Sequence, residues 1–170
     1  MTIHNIKYGT PTALTITLAS LASSTTHIAG RESTEVNNDA ASTQFIDVSL
    51  EGFVTVGTTP TIDTTIRIYV WGSHTSLATT AKDVLDGLDS VETLNSEGIR
   101  DKLLKLAAVL NVDETVSNQK YHFGPLSIAQ LFGQMPEFWG VFVTHNTGVN
   151  LNATAANHEI KFTPIEFESV

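Results

Sequence analysis

The feature that most constrains this chain is a two-residue alternation of apolar and polar side chains, found on both sides of a short turn. In Phe45–Val56, Ile46, Val48, Leu50, Val54 and Val56 fall on one face and Asp47, Ser49, Glu51 and Thr55 on the other. Gly52 interrupts the apolar set, which predicts a bulge or the close approach of a neighbour. Gly57–Thr61, with Pro60, is a turn signal, and Thr64–Trp71 then places Ile66, Ile68 and Val70 opposite Arg67, Tyr69 and Trp71. A period of two is the period of a strand. The simplest expectation is that the two runs form one long antiparallel pair.

Other segments extend the pattern. Ala13–Ala22 alternates and reads as a first strand rather than a cleaved signal. Leu103–Val112 fits both periods and is read as a strand in this context. Lys120–Gly124 is a short strand closed by Gly124–Pro125, and Phe138–His145 is the most apolar one. His158–Phe162 begins a last strand, which Pro164 should bend or place on a sheet edge. Short helices are expected at Ala81–Leu88 and at Ile128–Phe132, the second capped by Ser127 and ended by Gly133. About eight strands with one or two small helices predict an all-β antiparallel sandwich, jelly-roll-like. Residues 1–11 read as an N-terminal arm, and residues 12–170 as the single sandwich domain.

Composition agrees. The 170 residues include 24 Thr and 13 Ser, and Thr suits a pleated surface. With no Cys, disulfides, thiolate metal sites and a Cys nucleophile are excluded. A balance of 9 basic against 18 acidic residues argues against nucleic acid and against an anionic membrane as partners.

Motifs for chemistry are sparse. Asp83, Asp86 and Asp89 lack the spacing of a calcium loop. The six histidines show no zinc-site spacing, although His145 and His158 flank one loop and could meet. No G-x-S-x-G elbow and no phosphate-binding glycine loop occurs. Asn152-Ala153-Thr154 matches a glycosylation sequon. Phe138, Phe142 and Trp139 with Tyr69 and Trp71 could form a sugar-stacking face, but core packing explains most of them better. No catalytic residue, cofactor or metal is expected.

The segment Tyr121–His158 resembles a family of small virion structural proteins of tailed bacteriophages. The likeness lies in Phe123-Gly124-Pro125, the small helix Ser127–Gly133, the strand Trp139–Val143 and the loop His145–Gly148. Ala29–Ser33 and Val84–Gly87 are similar more loosely. Gln134 and Ala155-Ala156 stand where that pattern has more glycine. The resemblance implies a non-enzymatic virion component, assembled in the host cytoplasm. The expected role is a capsid decoration (cement) protein that bridges capsomers. Its partners would be the major capsid protein and further copies of itself, with a trimer as the expected arrangement. A tail, neck or fibre component is the alternative, and a carbohydrate-binding module a third. Ile3, Ile6 and Tyr8 of the arm are candidate partner contacts. So are Asn146, Thr147, Asn150 and Asn152 in the loop Asn146–Ala156.

Overall fold

Alternation becomes architecture once two sheets share an interior. A computed structural model describes residues 4–39 and 44–169. Its strands are β1 His4–Tyr8, β2 Thr12–Ala13, β3 Ala29–Glu32, β4 Val36–Asn37, β5 Asp47–Thr55 and β6 Thr64–Ser73. They continue with β7 Val91–Thr93, β8 Lys105–Val112, β9 Lys120–Ser127, β10 Phe138–His145 and β11 Glu159–Ser169. Two short helices, α1 Glu97–Leu103 and α2 Ile128–Phe132, interrupt them.

All strand pairings among the described residues are antiparallel. One sheet has the order β1-β11-β5-β9, with β2 also on β11. The other has the order β7-β3-β10-β6-β8, with β4 also on β10. With the short strands β2, β4 and β7 set aside, the remaining strands stand first–eighth–third–sixth in one sheet. They stand second–seventh–fourth–fifth in the other, which is the jelly-roll order. The all-β sandwich with short helices is therefore the observed fold.

The core lies between the sheets. Val48, Leu50 and Val54 face Ile66, Ile68, Val70, Val141 and Val143, with Trp139, Ile160 and Phe162 filling the space. Each such side chain contributes roughly 1.5–3 kcal/mol on burial. A second cluster lies on the outer face of the second sheet. There Tyr69, Trp71 and Phe142 are covered by Leu77, Leu85, Leu94 and Leu104 from the segment 74–104. Both faces of β6 are thus buried.

Several sequence expectations are corrected. β5 and β6 do not pair; the turn between them carries the chain from one sheet to the other. Each strand has its own apolar face, and facing across the core buries both faces at once. Only Thr12–Ala13 of Ala13–Ala22 and its flank is strand. The rest crosses the open side of the sandwich. Leu14 N–H donates to Ile160 O at 2.8 Å, Thr34 N–H donates to Thr15 O at 2.9 Å, and Leu14, Leu18 and Leu21 are buried. Ala81–Leu88 is no helix but a tight turn closed by reciprocal Lys82–Leu85 hydrogen bonds. The helix of this region is α1, capped by the Ser96 hydroxyl on Ile99 N–H.

β9 continues past Gly124–Pro125 to Ser127, with a register shift against β5 between Leu50 and Gly52. A Cβ at Gly52 would lie 2.2 Å from Glu159 O, so bulge and close approach coincide there. Pro164 does not place β11 on a sheet edge; it is paired with Val48 of β5. On its other side β11 pairs with β1 only from Ile165 onward and with β2 only at Lys161 and Phe162. Gly9 N–H donates to Pro164 O at 2.8 Å. In an antiparallel strand the nitrogen and oxygen of one residue point the same way. The missing N–H of Pro164 therefore falls in the gap between β1 and β2.

Candidate functional site

Two regions carry the sequence-predicted contacts. The first is built from both ends of the chain. β1 pairs with the last residues of β11, from His4↔Ser169 to Tyr8↔Ile165. β11 has left β5 by then, since that ladder ends at Ile165↔Asp47. Beyond Ile165 the sheet is a two-stranded ribbon. Directly opposed residues share a face. One face therefore carries Ile6, Tyr8, Ile165 and Phe167, and the other Asn5, Lys7, Glu166 and Glu168. Ile6, Tyr8 and Phe167 are 63%, 68% and 56% exposed. On the polar face Lys7 Nζ donates to Glu168 Oε1 at 3.0 Å, and that pairing raises the lysine's pKa. Ile3 lies outside the described residues. Ile165 and Phe167 escaped the sequence reading, which followed the last strand only to Phe162. The alternation Ile165-Glu166-Phe167-Glu168 was the available signal.

The second region is the loop after β10. It is held from inside. Thr147 is fully buried, its hydroxyl 3.0 Å from His145 Nδ1 and 2.9 Å from Val149 O, so it has no accessible surface for a partner. Asn146 Oδ1 accepts Thr65 N–H at 2.7 Å. Asn152 is half-buried: its Nδ2 donates to Asn118 Oδ1 at 2.6 Å, and its Oδ1 accepts Thr154 N–H and Asn157 Nδ2. Of the four loop candidates only Asn150 is exposed. It borders an open groove of about 410 Å³ that Ser20, Thr58, Asn118 and Asn152 also line. The amides of this loop order the end of the sandwich.

His145 and His158 flank this loop, and charge on His158 disfavours charge on His145. His145 Nε2 donates to Leu21 O at 3.0 Å. His158 Nε2 donates to Asn152 O at 2.9 Å, and its Nδ1 accepts Thr55 N–H at 3.3 Å. Burial is the main cause that lowers both, His145 to about 4. Both rings tie loops together.

The acidic triplet diverges. Asp89 bonds Arg31 Nε at 2.6 Å and Thr17, Asp86 accepts Leu88 N–H, and Asp83 bonds Asn95. Among the described residues no group of three or more His, Cys, Asp or Glu comes together as metal ligands. Trp71 and Trp139 are buried in separate clusters and offer no stacking face.

Comparison with known proteins finds no matching family model, no matching curated protein and no matching solved structure.

Proposed function

We propose that the chain is a non-enzymatic virion structural protein, and that it decorates a capsid by laying its terminal ribbon on a neighbouring subunit. The virion assignment rests on the resemblance carried by Tyr121–His158. The attachment role rests on one observation: a ribbon leaving the sandwich with three apolar side chains more than half exposed on one face. Large exposed apolar side chains on one face mark a contact surface. A two-stranded ribbon is marginal alone and gains from being covered. The partner in this reading is the major capsid protein. The charges of the ribbon lie on its other face, so attachment through Ile6, Tyr8 and Phe167 comes from apolar burial and many copies acting together.

Cryo-EM of particles containing the chain tests this. Jelly-roll density on the shell, with the ribbon against a capsid subunit, is the expected result. Density on the tail or neck alone would replace decoration with a tail role, and absence from the particle would end the virion reading. Removal of residues 1–11 should weaken attachment to shells, and raising salt from about 0.1 to 1 M should release little protein. Full release over that range would make the attachment electrostatic.

A further inference from the structure

We propose that β1 pairs edge to edge with β1 of a second copy of this chain, about a two-fold axis through Ile6. β1 is the end strand of its sheet, and all five of its residues are exposed. Its backbone polarity follows from the ladder. Gly9 N–H bonds Pro164 O, in register with the pairs above, so by alternation Lys7 and Asn5 bond β11. The N–H and C=O of Ile6 and Tyr8 point to the open side. Natural edge strands are blunted by proline, bulges or charge. His4–Tyr8 has no proline and no register shift, and its one lysine is tied back to Glu168.

The sequence HNIKY is complementary to itself in this register. Pairing centred on Ile6 sets Ile6 against Ile6 of the second copy and Asn5 against Lys7. Across the four strands β11-β1-β1-β11, the apolar face then reads Phe167, Ile6, Ile6, Phe167. The polar face reads Glu166, Lys7, Asn5, Glu168, with no like charges side by side. The glutamates stand on the two outer strands and the lysines on the inner two. Opposite charges across neighbouring strands are favourable, and like charges opposed are not. A contact of this kind is isologous and closes as a dimer. It leaves the apolar face open and doubles it. On the decoration reading, which this last point alone rests on, one dimer would present a continuous apolar surface to two neighbouring capsomers.

Analytical ultracentrifugation of the purified full-length chain tests the pairing without any capsid. The expected species has twice the 18.4 kDa of one chain. Ile6→Pro removes the N–H aimed at the open edge and spares the β1–β11 hydrogen bonds, which residue 6 does not make. It should weaken association by about ten-fold or more. Ile6→Thr keeps the N–H and trims the apolar face, so it should still dimerise. Circular dichroism should match wild type for both variants. A monomeric wild type at about 100 µM, where a specific homodimer in the usual affinity range is populated, overturns the proposal. So does a dimer that survives Ile6→Pro with unchanged strength. A dimer that forms as expected but fails to bind shells removes the decoration reading and leaves the pairing intact.

Discussion

Glu32 sits in an environment at odds with its chemistry. Its side chain is fully buried under the segment 74–90, with Oε2 accepting Asp86 N–H and Oε1 accepting Gly87 N–H, each at 3.1 Å. Burial raises its pKa to about 8, the two backbone N–H groups oppose that rise, and the Asp86 and Glu92 carboxylates add to it. The folded state therefore holds this proton more tightly than the unfolded chain. Its contribution to stability is full below about pH 4.5, the usual glutamate range, and is lost as pH rises through about 8. Glu32→Gln should remove that slope. Wild-type melting temperature should fall between pH 6 and 9 by the equivalent of a few kcal/mol, and the variant's fall should be smaller. Equal slopes in the two proteins would show that Glu32 does not titrate there. Nothing local in Ala29–Ser33 announces this burial, because the two N–H groups that hold the carboxyl lie 54 and 55 positions along the chain. Gly52 was legible for the opposite reason: a gap in an alternating row signals in its own neighbourhood.

Among the elements, those specified by short-range chemistry were readable. α2 begins and ends as its residues dictate: Ser127 Oγ accepts Gln130 N–H at 3.0 Å, and Gly133 closes it at φ 82°. Ser127 also donates to Asp47 Oδ2 at 2.6 Å, and Asp47 Oδ1 accepts Ala129 N–H at 2.8 Å, so the cap is fastened to β5. Ser127→Ala should cost about 1–2 kcal/mol, within the range for N-caps. Chemical denaturation measures it, and a change under about 0.3 kcal/mol, which is surface-substitution size, would mean that the cap does not matter. α1 carries the same signal in Ser96-Glu97, yet its low apolar content hid it. The β5–β6 turn shows the limit of local reading. Two alternating strands around a turn can pair within a sheet or face each other across a core, and the alternation is identical in both. Only the rest of the chain decides, by supplying β11 and β9 to flank β5, and β10 and β8 to flank β6.

For the whole molecule, the fold class was legible because strand count and patterning are properties of composition and period. The exposed apolar face of the ribbon was half legible, since the arm's apolar side chains were visible but the strand that aligns Phe167 with Ile6 was not. Assembly of the fold also creates a pH response opposite in sign to that of Glu32. His27 and His145 are both buried, and burial lowers each to about 4, with Arg67 and Arg100 adding to the effect on His27. The unfolded chain takes up these protons near pH 6.5, and the folded chain does not until about 4. The stability associated with keeping both rings neutral is present above pH 6.5 and lost as pH falls toward 4. With Glu32 acting on the alkaline side, stability should be greatest between the two limbs, at mildly acidic to neutral pH. Replacing both rings by non-titrating glutamine, His27→Gln with His145→Gln, should flatten the acid limb relative to wild type by up to a few kcal/mol. The folded baseline of that variant is lower, so the slope between about pH 7 and 5, which spans the ordinary histidine range, is the quantity to compare. Imidazole NMR shifts provide a direct readout on the unmutated protein: both rings should remain neutral at about pH 5.5, a pH at which an ordinary histidine is mostly charged. Protonated signals from either ring at that pH, with the fold intact, would contradict the account.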